Sequence, residues 1–287
     1  MSDEAASAAT AAAAPAALEA PAATCANCGA VLHGRFCAAC GQEVKPLDPP
    51  VRYFAREFAE ELFDVDGRLL RSLRRLLFSP GFLTREHIQG RRAPWVSPLK
   101  LYLLASVAMF GAQAFAGSFA TIELTTSEDV AEVNESLRKL GYANLGELQR
   151  TIETARLAWM PRLMFVLVPL FAGLVALVER RAGRRYPAHL VFALHVHAAA
   201  FAARAVAAIL AVPVPAWAEG FSQTASLYGV VYLFLAFRTA YGASRSRAAR
   251  NTAAIGVVYL MALVAATAVV VGLAMFGPRR LGMMWGS

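Results

Sequence analysis

Charge is scarce in this chain. Only 17% of its 287 residues are Asp, Glu, Lys or Arg, while 57% are apolar; a soluble globular domain is ~25% charged and ~45–50% apolar. That balance argues against a single soluble enzyme domain, and so much apolar sequence excludes disorder over most of the chain. Cysteine is missing outside Cys25–Cys40, so no disulfide framework spreads across a secreted fold. No Asp or Glu lies well inside any long apolar run, which disfavours a cation-driven pump, because carboxylates usually carry proton or cation coupling. Nucleophile elbow, phosphate loop and dinucleotide fingerprint are all missing, and Asp64-x-Asp66-Gly67 lacks the remaining spacing of a calcium loop. No basic n-region opens residues 1–24, an Ala-rich stretch with Pro15 and Pro21. It reads as a disordered tail rather than a signal peptide, so the first span is expected to direct insertion itself.

Long apolar runs are what the chain has. They cover residues 98–118, 157–178, 188–212, 222–240 and 253–276. Each is about twenty residues, the length a helix needs to cross ~30 Å of hydrocarbon. A spanning segment must satisfy its backbone internally, so helix is expected in each. Ser97-Pro98 offers an N-cap followed by Pro at the first helical position. Trp95, Trp159, Tyr186, Trp217 and Tyr241 stand near the ends, as an interfacial belt would. The expected fold is an all-α polytopic membrane protein, with five spans in 97–276 and a tail at 277–287.

Loop charge sets the expected orientation. Arg85, Arg91 and Arg92 precede the first span, the 179–187 loop carries four arginines, and the stretch 238–250 carries Arg238, Arg245, Arg247 and Arg250. The loop 118–156 has seven acidic residues against four basic ones, and 213–221 has no basic residue. The alternation places the N-terminus in the cytoplasm and the C-terminus outside, in a cell inner membrane. Within 118–156, Thr126-x-x-Asp129 and Asn144-x-x-Glu147 are capping boxes. Arg138, Lys139 and Gly141 would close the first short helix, and the second helix is expected to run into the second span.

Residues 51–96 precede the spans. Phe54, Phe58, Leu62, Val65, Leu69, Leu73 and Leu76 form one helical stripe, and Ser79-Pro80-Gly81 ends it. Arg68, Arg71, Arg74 and Arg75 crowd its second half. The stripe reads as an interfacial amphipathic helix with arginines toward anionic headgroups, or as a face packed on the protein itself. Nucleic acid is not an expected partner, since no recognition motif accompanies the net charge of +8. Residues 80–92, with Glu86, His87, Arg91 and Arg92, read as a turn and basic anchor ahead of a headgroup or partner contact.

The strongest motif is CANCG…FCAACG in residues 25–42. Cys25, Cys28, Cys37 and Cys40 form two Cys-x-x-Cys pairs, each followed by a glycine that suits a tight knuckle. Four thiolates fit a closed structural Zn²⁺ site that supplies the folding energy of so short a segment. Two disulfides or an iron–sulfur site are the alternatives, and cytoplasmic placement counts against disulfides.

The third span is unusually polar. At 100° per residue, His189, His197 and Arg204 share a face and His195 points elsewhere. Ionisable groups in a span read as functional or as interhelical glue. Tyr228 and Tyr232, four residues apart on the fourth span, are the expected neighbours of His197 and Arg204.

CANCGAVLHGRFCAACGQ, DVDGRLLRSLRRLLFSPGFLTREHIQGRRAPWVSPLKLYLLAS, HLVFALHVHA and YLFLAFRTAYG, in that order, resemble a bacterial membrane family, the one numbered 3667 among domains of unknown function. The resemblance implies a zinc ribbon joined to a multi-span module, and no activity. The expected role is non-enzymatic: the ribbon and amphipathic helix recruit a protein partner at the inner leaflet while the bundle anchors. The alternative is a small oligomeric transporter or channel for an anionic or lipid substrate, using the His/Arg face of the third span.

Overall fold

A computed structural model describes residues 24–44, 67–116, 134–138 and 142–284, with side chains as far as Leu273. The expectations for 1–23, for 45–66 with the first half of the stripe, for Thr126–Asp129, and for Lys139 and Gly141 lie outside the described residues. The chain divides into two compact units between Val44 and Lys45.

The first unit is built from two copies of one knuckle. Gly29 N–H donates to Cys25 O and Cys25 N–H to Ala30 O; Gly41 N–H donates to Cys37 O and Cys37 N–H to Gln42 O. Antiparallel bridges Thr24↔Val31 and Phe36↔Glu43 close each loop. Both glycines adopt positive φ, +79° and +72°, which an L side chain resists.

The second unit is helical: α1 Gly67–Phe78, α2 Phe82–Ile88, α3 Pro98–Ala116, α4 Leu145–Val178, α5 Tyr186–Ala211, α6 Ala218–Tyr241 and α7 Arg245–Met284. The last five are long and apolar enough to cross a membrane, in the five places expected from the apolar runs. Asn144 caps α4, accepting the Glu147 N–H at 3.0 Å, while the Glu147 carboxylate takes the Ala143 N–H at 2.6 Å. The helix then continues unbroken into the second span, through Pro161 and Pro169. α7 runs to Met284 through residues expected to be tail.

α5 is the hub. It packs against α3, α4 and α6 and also touches α1 and α2. Its alanines explain why: Ala193, Ala198 and Ala199 are wholly buried, and small residues let helix backbones approach closely. α6 runs antiparallel in a constant register, with Tyr241 against His189, Phe237 against Phe192 and Ser226 against Arg204.

The segment before α3 is more structured than its sequence suggests. Residues 82–88, expected as a turn, form α2, and Leu83, Thr84, Glu86 and His87 are buried. Leu76, Leu83 and Val96 belong to the same hydrophobic core as the spans. A close approach fixes α2: a Cβ on Gly81, whose φ is +78°, would lie 2.7 Å from the Ala236 carbonyl oxygen of α6. Ser72 of α1 accepts the Val96 N–H at 3.0 Å, tying α1 to the entry of α3.

Candidate functional site

In the knuckle unit, Cys25 and Cys40 Sγ are 3.7 Å apart and Cys28 and Cys37 Sγ 3.6 Å apart. All four sulfurs lie within 4.8 Å of one another. A tetrahedral ion with ~2.3 Å metal–sulfur bonds requires sulfurs about 3.8 Å apart, and a disulfide requires ~2.05 Å; the spacing is that of a metal site. The thiols influence one another. The Gln42 backbone N–H pulls the Cys40 pKa down. At Cys28 the Ala30 N–H also works downward, yet the neighbouring thiols and burial leave it up at about 12. A cation is what would allow all four to ionise together.

In the helical unit, polar side chains fall into two sets. The first lies in the half where α3, α5 and α7 begin. His195 Nδ1 is 3.0 Å from the Thr84 hydroxyl of α2, and its ring meets His87 edge to face at 5.3 Å. His87 Nδ1–H donates to Leu83 O, and burial holds its pKa down at about 4. Arg91 pairs with Glu86 at 2.8 Å and, chiefly through that bond, keeps its carboxyl below the usual range. Asn251 of α7 donates to the buried Glu179 at the end of α4, 2.7 Å away. His189 Nδ1 meets the Tyr241 hydroxyl at 2.8 Å. These are mutual contacts, although His195 Nε2 is buried without a hydrogen-bond partner.

The second set borders a cavity of about 1420 Å³ between α3, α4, α5, α6 and α7. His197 and Arg204 both reach it, as does Arg156 of α4. Val230, Val257, Leu260 and Val264 line it and are also exposed, so the cavity opens between α6 and α7 onto the surface that would face lipid.

The expected polar face therefore divides. His197 is fully committed: Nδ1–H donates to Ala193 O at 2.8 Å, so Nε2 accepts from the Tyr259 hydroxyl at 2.7 Å. Arg204 has one hydroxyl, Ser226 Oγ at 3.2 Å, and no carboxylate partner among the described residues. Tyr228 and Tyr232, the expected neighbours, look the other way. The Tyr228 hydroxyl donates to Leu77 O of α1, and Tyr232 is buried beside it. The reason is angular: residues 226 and 228 differ by ~200° on a helix, so a span presenting Ser226 to α5 turns Tyr228 away. Sequence reasoning missed Tyr259; its signal was a phenol at mid-span, one turn from Gly256.

On α1, Leu76 enters the core and Leu69 and Leu73 pack on it, so the apolar stripe meets protein rather than acyl chains. Arg71, Arg74 and Arg75 lie on the exposed face with Leu70 and Phe78, and Arg68 is half-buried at its edge. Arg75 also sits over the Phe82 ring at 4.9 Å.

Five hydrophobic helices, one of them the hub that carries the histidines and Arg204, define a protein of the multi-pass membrane class. Residues 66–110 match the family described as a protein of unknown function (DUF3667), as the sequence led us to expect; the match takes in α1, α2 and most of α3, and leaves the knuckle unit outside. No curated protein and no solved structure matches the chain.

Proposed function

We propose that the five-span bundle is a non-enzymatic membrane protein that takes a bilayer-resident ligand into the cavity between α6 and α7, either to present it or to pass it across. The observation that carries this reading is Arg204, an under-partnered guanidinium on the wall of a cavity larger than the ~300–1,000 Å³ of ordinary small-molecule pockets. The earlier alternatives for the third span were function and glue; the sealed partners of His189 and His197 support glue for those two and leave Arg204 for function. The bundle sits in an inner membrane, with the Pro98 end of α3 cytoplasmic, as the basic loops support. Reporter fusions after Gly183 and Gly220 should signal inside and outside respectively; the opposite pair would overturn that orientation.

Gly229 and Gly256 give the test of the cavity. Both line it, and a Cβ on either meets nothing within 4 Å. Gly229→Phe should put a ring into the space beside the window between α6 and α7 without displacing a helix. Mass spectrometry of the purified protein should then show a co-purifying amphiphile in the wild type and its loss in the variant. Equal retention would sink the reading.

A second role belongs to the knuckle unit, which carries Val31, Phe36 and Val44 exposed on its surface. There Zn²⁺ is structural, held by Cys25, Cys28, Cys37 and Cys40, and the module recruits a protein partner in the cytoplasm. Metal analysis should give one zinc per chain and none in Cys37→Ser; iron, or a metal-free oxidised protein, would refute it.

A further inference from the structure

Resting on the cavity reading, we propose that the ligand is a lipid with an acidic head, whose phosphate or carboxylate is received by Arg204 and whose chains lie along the apolar walls of α6 and α7. Three observations converge on this class.

The first is the charge of the wall. Arg204 lines the cavity, as does Arg156, and among the described residues no Asp or Glu does. A cation in an apolar span is costly unless paired, ~2.5–3.5 kcal/mol for Arg on insertion scales, and an anionic ligand is the partner that would offset it.

The second is how Arg204 is held. The Ser226 hydroxyl donates to Ser222 O at 2.9 Å, so its lone pairs are left to receive Arg204 Nη2. One donor of the guanidinium is thus used to aim the group, and the rest of the planar fork suits a carboxylate or phosphate presenting two oxygens.

The third is polarity along the cavity. Arg204 lies seven residues beyond His197 on α5, about 10 Å at 1.5 Å per residue. At the His197 level the histidine and Tyr259 satisfy each other and offer a ligand no charge. Beyond Arg204's own surroundings the lining is almost wholly aliphatic and aromatic: Met160, Met164, Phe201, Leu233, Leu260 and Leu263 among others. A small inorganic anion would leave this wall uncovered, whereas an acyl chain covers it and reaches it laterally through the window between α6 and α7.

The experiment compares four probes on the purified full chain by native mass spectrometry: phosphatidic acid, diacylglycerol with the same acyl chains, phosphatidylcholine with the same acyl chains, and inorganic phosphate. The wild type should hold phosphatidic acid at least tenfold more tightly than diacylglycerol or phosphatidylcholine, and inorganic phosphate should not displace it. Arg204→Gln should abolish that preference and Arg204→Lys should keep part of it. Gly229→Phe should lose all lipid. Helical content by circular dichroism and unchanged zinc content keep loss of fold apart from loss of the head contact. Equal binding of phosphatidic acid and diacylglycerol to the wild type would overturn the acidic head while leaving the cavity reading intact. Displacement by inorganic phosphate would overturn the lipid in favour of a free anion. Lipid binding untouched by Gly229→Phe would remove both this proposal and the cavity reading beneath it.

Discussion

The two halves of the helical bundle handle polar groups in opposite ways, although the same helix runs through both. Where α5 begins, His189 and His195 meet side chains from α6 and α2, and nearby Glu179 is joined to Asn251. Toward its other end the helix presents Arg204 to a cavity with a single hydroxyl for company. In an apolar solvent a buried polar group either finds a protein partner or waits for a ligand. The first half joins its histidines and carboxylates to neighbouring side chains, with His195 Nε2 left over, and the second holds a guanidinium on a cavity wall.

If that contrast is right, the closed half should be fragile to polar loss and the open half tolerant. The largest effect expected is acid-dependent loosening of α2. His87 is neutral and buried with a pKa near 4 against 6.5 for the free side chain. Its depressed pKa makes its contribution fully present above about pH 6.5 and lost as pH falls toward 4. Arg92 opposes its charging and Glu86 favours it, and the ring of His195 faces it. By pH 4 the loss should approach about 3 kcal/mol. Limited proteolysis at the α1–α2 turn across this range should reveal it, and His87→Gln should flatten the profile. An unchanged wild-type profile would mean that α2 is not held by neutral imidazole.

Next comes Asn251→Leu, which strips the buried Glu179 carboxylate of its 2.7 Å donor. A loss of about 2–3 kcal/mol is expected in reversible unfolding in detergent. Gly81→Ala should cost about 2 kcal/mol through strain at positive φ, more where the new Cβ cannot move off Ala236. The smallest effect belongs to the open half. Arg204→Leu should lower stability by no more than about 1 kcal/mol, since one hydroxyl contact is lost and relief of the unpaired charge acts the other way. A loss as large as that of Asn251→Leu would erase the contrast between the halves.

Much of this was legible beforehand, for identifiable reasons. Span positions follow from run length because the bilayer is a ruler. The Asn144–Glu147 cap and the paired knuckles were readable because their contacts are local, three to five residues apart. α2 was not. Its sequence PGFLTREHIQG is polar and broken by glycines, with no stripe to mark a helix, and its burial depends on α5 and α6, more than a hundred residues away. The wheel set His189, His197 and Arg204 on one face, but a wheel cannot say which neighbouring helix meets which arc of that face. Hence Tyr259 and Ser226 took the places expected of Tyr228 and Tyr232.

α4 gives the bundle a mechanical character. At 34 residues it is a beam of about 51 Å, fastened by the Asn144 cap at one end and the Glu179–Asn251 bond at the other. Pro161 and Pro169 lie within it between those fastenings, each leaving a carbonyl one turn earlier, at Leu157 and Phe165, without its helical donor. Met160 and Met164, beside the first of these joints, line the cavity. The missing backbone hydrogen bonds are thus concentrated in one wall of the cavity, between two fastened ends.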